Sequence, residues 1–289
     1  MKICAITMVY RDYWALSQWY AHYSRHLGSD NLFIVAHGHD PKISELCPRV
    51  SVITVPRDDL SGFDRMRGQL LNSIQDELGS AYDWVIRTDT DELICLDPAH
   101  YGSFVELFSK QQSVDALFAL GLNIAEVDGE AELGRGDAVM SKRQHAVFTG
   151  HYSKAWAVKR GVHLARHGVE VAADRLSGAK LDIPRGVYLA HLKYANLDAL
   201  GNVNIDRVKT ASGPEKGLPG KAWSDAHKDS RKFYEMIAGL PDRDWDSALE
   251  VAFDEIRDNP IRDKEQNVLR AKSVNFPFRI TLPDWFRYS

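Results

Sequence analysis

Strand-like and helix-like segments alternate through the first hundred residues, and this alternation limits the possible folds more than any other feature of the sequence. The apolar run Ile3–Val9 predicts a strand that is buried on both faces. The amphipathic segment Tyr13–Leu27 follows, and Gly28 is suited to cap it as a helix. Further strands are predicted at 32–36, 50–55 and Trp84–Arg87, and a second helix at 64–78. Such alternation predicts βαβ units, and therefore an α/β fold with a mostly parallel central sheet flanked by helices.

Beyond residue 96 the pattern is more irregular. Short apolar runs predict strands, and two amphipathic stretches near the end predict helices. Polar, glycine-bearing stretches at 126–136 and 202–220 predict loops. The predicted strands are 116–122, 154–158 and 187–193, and the predicted helices are 104–108, 225–238 and 246–256. No composition shift marks a linker, so we expect one unit.

Composition and charge place the chain among globular proteins. Of its 289 residues, 44% are hydrophobic and 26% charged, which excludes a disordered or collagen-like chain. Lysine and arginine number 36 and acidic residues 40, so the net charge is −4 and we expect no nucleic-acid partner. The three cysteines are widely spaced, which argues against a disulfide framework. Without an apolar run of membrane-spanning length, we expect a cytoplasmic protein, either free or at the inner face of a membrane.

An acidic segment directly after the fourth predicted strand carries the clearest chemistry. It reads Thr88-Asp89-Thr90-Asp91-Glu92 and places three carboxylates within four residues. Carboxylates so close repel one another unless a cation neutralises them. Continued strand geometry would put Asp89 and Asp91 on one side, and hard oxygen ligands suit Mn²⁺ or Mg²⁺, which also accepts substrate phosphate. Ligands of parallel sheets bind beyond the carboxyl ends of the strands, so the segment predicts a metal–diphosphate site; the alternative is a set of turn residues.

Three features together resemble the nucleotide-diphospho-sugar transferases of the GT-A fold, in particular bacterial family 2-like glycosyltransferases. The first is the opening strand followed by Tyr10-Arg11-Asp12. The second is the helix ending at Gly28 that leads into the strand beginning near residue 31. The third and most specific is the segment 83–92, in which a tryptophan, a strand and a D-x-D-E pattern follow one another. The resemblance covers about the first third of the chain.

The resemblance implies a metal-dependent, inverting glycosyltransferase. Such an enzyme moves a sugar from a nucleotide diphosphate sugar, with a UDP-sugar favoured, to the hydroxyl of a glycan or lipid-linked acceptor in polysaccharide or glycolipid synthesis. The chain 1–289 would then be one glycosyltransferase domain. Residues 1–122 would form its nucleotide-sugar-binding half, and residues 123–289 its acceptor-binding half with C-terminal helices.

The same resemblance implies roles for individual residues on the donor side. Asp91 would bind the divalent metal, Mn²⁺ or Mg²⁺, and Asp89 would lie near the ribose or in the metal's water shell. Tyr10 and Asp12, after the first strand, would contact the nucleoside. Arg67 stands where the family often keeps a basic residue that faces the nucleotide.

Two further candidates come from the C-terminal half. A histidine there often supplies the third metal ligand of this fold, and His191 is the candidate because strand periodicity puts it on one face with Lys193. An inverting enzyme needs a carboxylate to take the acceptor's proton, and Asp128, on a predicted loop after a strand, is our choice among six acidic residues.

Alternatives remain open at the sequence level. The acidic residue that reads the base in many relatives is replaced here by Ala36 or His37, which leaves the base unassigned. A non-catalytic protein that binds a nucleotide or glycan is therefore one alternative. An aspartate-nucleophile phosphatase is another, although its aspartate pair usually lies on the first strand. The aromatic segment 275–289 suggests either peripheral membrane contact or, as we favour, a tail packed over the domain.

Overall fold

The computed structural model describes residues 1–134 and 136–289 and is a mixed α/β structure. The strands are β1 (Ile3–Val9), β2 (Leu32–His37), β3 (Ser51–Val55), β4 (Trp84–Arg87), β5 (Glu92–Leu96), β6 (Ala116–Phe118), β7 (Leu120–Ala125), β8 (His145–Phe148), β9 (Ala155–Val158), β10 (Leu164–Ala165), β11 (Gly168–Glu170), β12 (Val187–Tyr194), β13 (Asp242–Arg243), β14 (Ile261–Asp263), β15 (Val268–Arg270) and β16 (Arg279–Thr281). The helices are α1 (Tyr13–Leu27), α2 (Lys42–Leu46), α3 (Phe63–Leu78), α4 (Phe104–Lys110), α5 (Leu197–Ala211), α6 (Lys221–Ser224), α7 (Ala226–Gly239) and α8 (Trp245–Arg257).

The first sheet contains the predicted parallel strands. Its order is β3-β2-β1-β4-β9-β6, and the first four strands run parallel while β9 and β6 add antiparallel pairs. Every residue of β1 is buried, which explains its unbroken apolar run. Helix α1 packs Leu16, Trp19 and Tyr23 into the main core, and α3 places Leu71 against the other side of the strands. The parallel strands therefore end at one common edge.

A second six-stranded sheet is the part that the sequence pattern does not reveal. Its order is β13-β16-β8-β7-β12-β5. The predicted strand 116–122 is in fact two strands, because the chain leaves the first sheet as β6 and enters the second as β7. The boundary expected at residue 122 therefore falls inside β7. A small antiparallel sheet, β10-β11-β15-β14, completes the strand structure of the described residues.

The C-terminal elements confirm some predictions and correct others. Helices α7 and α8 lie within two residues of the predicted ranges, but the loop predicted at 202–220 is wrong over most of its length. Helix α5 covers this region to Ala211, and the Asn196 side chain accepts a hydrogen bond from Ala199 N at 3.0 Å to begin it. Of the described residues, 126–134 and 136 form no helix or strand, as predicted.

The aromatic tail is part of the core. Most of its apolar side chains are buried, as expected of a tail that packs over the domain, whereas Trp285 is half-buried and Tyr288 is exposed. The buried ones are Phe276, Phe278, Ile280, Leu282 and Phe286. No helix in the described part of the chain is long and apolar enough to cross a membrane.

Candidate functional site

A cavity of about 910 Å³ opens at the edge where the parallel strands end. The carboxyl ends of β1 and β2 and the residues that follow β1 and β3 line one side, and the link between β4 and β5 forms part of the floor. The start of α3, strands β7, β8 and β12, the loop after β8, helices α5 to α7 and residues 273–276 complete most of the lining. Six of the seven predicted site residues line it: Tyr10, Asp12, Arg67, Asp89, Asp91 and His191. This is the crevice position at which open parallel sheets bind ligands.

The acidic segment forms a tight turn between β4 and β5 rather than a continued strand. Glu92 N donates to the carbonyl oxygen of Asp89 at 3.1 Å, and Asp89 N donates to Glu92 Oε2 at 3.0 Å. The Trp19 indole, from α1, donates to Thr88 Oγ1 at 2.9 Å and holds the start of the turn. Asp89 and Asp91 line the cavity, whereas Glu92 is fully buried and stabilises the turn through its bond with Asp89 N.

Lys154 supplies part of the positive charge that three adjacent carboxylates require. Its Nζ lies 2.8 Å from Glu92 Oε1 and 3.2 Å from Asp89 Oδ2. In the antiparallel pair of β4 and β9, Ile86 faces Ala157, so extending the register brings Lys154 opposite Asp89. Burial raises the pKa of Glu92 to about 8 because Lys154 offsets only part of the desolvation. Sequence analysis missed Lys154, since only the strand pairing brings it to the acidic segment.

A glycine on β7 permits this arrangement. A Cβ atom at Gly121 would lie 2.7 Å from Ser153 N and closer still to the carbonyl carbon of Tyr152, so the loop before β9 can cross β7 only where there is no side chain. Ser153 Oγ accepts a hydrogen bond from Gly121 N at 2.8 Å and donates to the Thr149 carbonyl at 2.9 Å. The crossing thereby fixes Tyr152 at the cavity and Lys154 against the acidic turn.

Asp91 and His191 form the pair that best fits a divalent cation. His191 Nδ1 donates to Asn123 Oδ1 at 2.7 Å, and its ring stacks on Tyr152 with centroids 3.5 Å apart. Burial lowers the pKa of His191 in spite of the nearby Asp91, so the ring is neutral at neutral pH. Its lone pair is then on Nε2, the atom 3.4 Å from Asp91 Oδ2. Asp91 Oδ2 and His191 Nε2 are therefore two hydrogen-bond acceptors that face one another, and the hydrogen bond from Nδ1 to Asn123 fixes the ring. A metal-binding histidine is typically oriented by such a bond from its other ring nitrogen.

The described residues do not form a closed cluster of metal ligands. Within residues 1–134 and 136–289, three or more His, Cys, Asp or Glu side chains do not group in a way that could hold a metal ion. Asp89 Oδ2 is occupied by Lys154, so the geometry favours Asp91 and His191 over the predicted set that included Asp89. Mg²⁺ and similar ions are often held by one or two protein ligands and complete their shell with water and substrate phosphate.

Planar side chains surround the far end of the cavity. The guanidinium of Arg57 lies 3.6 Å from the centroid of the Tyr10 ring, donates to Thr210 Oγ1 at 3.1 Å and approaches His37 Nδ1 at 2.9 Å. Burial, followed by the charge of Arg57, lowers the pKa of His37 to about 4, so this imidazole is neutral. These groups form a flat, partly apolar wall with a fixed cation, which suits a planar heterocycle. Arg57 follows a predicted strand, which makes it a candidate from the sequence, but the sequence alone gives it no role in the predicted site.

Asp12 and Arg67 also line the cavity, and Asp12 lies near Asp91. Asp12 caps α1 by accepting from Ala15 N at 3.3 Å, and burial together with the charge of Asp91 raises its pKa to about 7. Arg67 Nε donates weakly to the sulfur of Met8 at 3.1 Å and keeps its guanidinium toward the cavity.

Asp128 is the one predicted site residue that the structure does not bring to this cavity. It lines a separate groove of about 610 Å³ beside β7, together with Glu126 and Glu130. These two glutamates are held by Arg143, whose guanidinium lies 3.0 Å from Glu126 and 3.7 Å from Glu130. The two cavities share no lining residue, so the position of Asp128 gives it no contact with the metal pair.

No protein-family model matches the chain, and no curated protein matches it in sequence. Solved structures match weakly. A CMP:2-keto-3-deoxy-manno-octonic acid synthetase complexed with CTP is 11% identical with a TM-score of 0.30, covering 55% of this chain and 75% of the other. A 4-diphosphocytidyl-2C-methyl-D-erythritol synthase is 16% identical with a TM-score of 0.29, covering 47% of this chain and 64% of the other. A mannose-1-phosphate geranyltransferase from Thermus thermophilus is 10% identical with a TM-score of 0.30, covering 98% of this chain and 74% of the other. Likeness at this level assigns neither fold nor activity, so function must be argued from the cavity.

Proposed function

We propose that this protein is a glycosyltransferase of the GT-A type, which moves a sugar from a nucleotide diphosphate sugar to an acceptor hydroxyl with the help of Mn²⁺ or Mg²⁺. The observation that carries the proposal is the convergence, in one cavity, of the Asp91–His191 pair and the planar wall around Tyr10 and Arg57. A nucleoside diphosphate needs both features, since its base is planar and its phosphates are anionic. A UDP-sugar remains the favoured donor, and a glycan or lipid-linked compound the favoured acceptor.

The chain's own residues divide the work in this proposal. Tyr10 and Arg57 stack on one another and together offer a flat face to the base, and Asp12 and Arg67 lie beside the nucleoside. Asp91 and His191 would hold a divalent cation, which would supply positive charge where the leaving diphosphate gains negative charge. Asp89, fixed by Lys154, presents its second carboxylate oxygen to the cavity.

The acceptor's proton requires a carboxylate inside the cavity. Asp128 lies outside it, so we propose that the base is one of the other aspartates that line it. Inversion at the sugar carbon then proceeds in one displacement, in which the deprotonating hydroxyl oxygen forms the new bond as the diphosphate leaves. The candidate aspartates are Asp12, Asp64, Asp206 and Asp229.

A thermal-shift panel tests donor binding. UDP, GDP, CDP and their sugars would each be measured with and without Mn²⁺. A ligand that binds only the native state stabilises it by about 2.7 kcal/mol at a hundredfold excess over its dissociation constant. We expect one nucleotide to raise the melting temperature, and to do so more strongly with Mn²⁺. No shift with any nucleotide would contradict the proposal.

Turnover distinguishes a transferase from a protein that only binds. Asp91→Asn removes a charge from the metal pair but keeps the side-chain shape, so we expect donor turnover to fall by about 10²–10³-fold. Asp284→Asn is the matched control, because Asp284 is an exposed surface residue that pairs with Arg287 and does not line the cavity. Release of the nucleoside diphosphate from the donor would be followed for both. Donor binding without release in the unaltered protein would instead identify a non-catalytic binder.

A further inference from the structure

Two basic side chains beside the metal pair have no carboxylate of their own at close range. Within the described chain, the Lys193 ammonium forms no ion pair or hydrogen bond, and it lies 5.0 Å from the centroid of the Tyr194 ring. The Arg207 guanidinium, on α5, is 4.0 Å from Asp91 Oδ2, at the outer limit for an ion pair. Both residues line the large cavity.

The two cations lie close to one another as well as to Asp91. Leu192 N, next to Lys193, donates to the Asp91 carbonyl at 2.7 Å, so β12 and the acidic turn are joined at this point. Lys193 and Arg207 also share the lining of a second, very small pocket with Asp12 and Asp91. Two like charges held together in a partly buried place repel one another, and an anion between them removes that cost.

Lys154, a buried lysine that pairs with Asp89 of the cavity lining, provides an informative contrast. Its ammonium is shared by Asp89 and Glu92, and both contacts are shorter than 3.3 Å. The positive charge of Lys154 is therefore compensated by carboxyl groups of the protein itself. The charges of Lys193 and Arg207 are instead directed to the cavity, where a ligand can meet them.

We propose that Lys193 and Arg207 form a phosphoryl-binding subsite that binds its ligand without a divalent cation. The subsite rests on the proposed function, because it names the residues of the same cavity that bind the phosphoryl groups of the substrate. An arginine offers several donors in a plane and a lysine a compact charge, a combination suited to phosphate oxygens. The phosphoryl group has two possible sources, the diphosphate of the donor or a phosphate on the acceptor.

Binding of inorganic pyrophosphate in metal-stripped buffer tests the subsite directly. We expect the unaltered protein to bind pyrophosphate in isothermal titration calorimetry. Lys193→Met and Arg207→Met should each weaken this binding at least about tenfold, since a charge-assisted contact is worth about 1.5–3 kcal/mol. Lys209→Met should change it less than about twofold, because Lys209 is an exposed lysine on α5 that does not line the cavity.

The outcomes separate this proposal from the proposed function. No heat from pyrophosphate with the unaltered protein, or equal affinity in Lys193→Met, Arg207→Met and Lys209→Met, would overturn the subsite even if the protein turned over a donor. Pyrophosphate binding lost in the first two variants would support it even if no sugar were transferred. Melting temperatures of all variants show whether they are folded, and Lys193→Arg, which keeps the charge, should regain most of the affinity.

A competition experiment identifies the source of the phosphoryl group. UDP would be added to saturation in the same metal-stripped buffer before the pyrophosphate titration. Loss of the pyrophosphate signal would support a subsite for the donor diphosphate. A signal that persists beside bound UDP would support a subsite for a phosphate on the acceptor.

Discussion

Lys154 is a buried cation that offsets part of the negative charge of the acidic turn between β4 and β5. An ammonium taken out of water is costly, and only close carboxylates compensate for it. Burial alone would lower the pKa of Lys154, but Asp89 and Glu92 hold it above its usual range. The lysine therefore stays charged, and the turn can remain buried on one side while it presents Asp89 and Asp91 to the cavity on the other.

We predict that Lys154→Met destabilises the protein by about 1–3 kcal/mol, because it leaves the buried Glu92 carboxyl without its partner. Lys154→Arg keeps the charge and should cost less. Lys159→Met is the control, since Lys159 follows the same strand β9 but pairs at 3.3 Å with the largely exposed Asp115, where a loss of about 1 kcal/mol or less is expected. Urea unfolding at pH 7 measures all three, and equal losses for the two methionine variants would refute a buried role for Lys154.

Two glycines, Gly121 and Gly68, differ in how closely other elements approach them. Gly121 on β7 meets the loop that carries Tyr152 and Lys154, and any side chain there would collide with backbone atoms. Gly68, inside α3, has no neighbouring atom within 4 Å of the place a Cβ would take. The same substitution should therefore act in opposite directions at the two sites.

We predict that Gly121→Ala destabilises the protein by several kcal/mol and lowers donor binding, because the loop before β9 must move away from the cavity. The overlap is with backbone atoms of Tyr152 and Ser153, so turning a side chain cannot relieve it. Gly68→Ala should instead stabilise by about 0.5–1 kcal/mol, since alanine restricts the unfolded chain and favours a helix. Thermal unfolding of both variants gives the comparison, and destabilisation of similar size at both positions would contradict it.

Elements that carry a regular apolar pattern are the ones the sequence predicts well. The predicted bounds of helix α1 match the observed ones because its apolar stripe faces the core. The sequence pattern of helix α5 instead predicts a loop because its buried face is partly polar: Asn204 is buried and donates to Ser230 Oγ of α7 at 3.0 Å. A search for hydrophobic periodicity does not detect a helix whose buried face packs through hydrogen bonds. The break between β6 and β7 escapes prediction for a related reason, since one continuous apolar run enters two sheets.

The candidate site also contains residues that the sequence predicts and residues that it does not. Residues that follow predicted strands, such as Asp12, Asp89 and Asp91, could be found from the sequence because parallel strands end at one edge. Their partners could not, because pairing brings them from far along the chain. Lys154 is 65 residues from Asp89, and Thr210 is 153 residues from Arg57. Nothing local in the sequence encodes these distances.

The cavity joins the two halves of the molecule at the scale of the whole fold. One wall belongs to the ends of the first sheet, and the opposite wall belongs to α5, α6 and α7. Polar links cross between these walls: Arg57 donates to Thr210 Oγ1 at 3.1 Å, and Gly62 N donates to the Lys216 carbonyl at 2.7 Å. A ligand bound across the cavity would add contacts to both walls at once.

We therefore predict that hydrogen exchange slows on both walls when the donor nucleotide and Mn²⁺ bind together. The affected segments should be 57–67, after β3, and 203–223, from α5 to α6, because a ligand that binds only the closed arrangement suppresses local opening on either side. The groove segment 126–132 is the internal control, since it lines the separate cavity and should not change. Protection confined to the first wall would mean that the nucleotide binds without the helices, and the phosphate contact proposed for Arg207 would then be wrong.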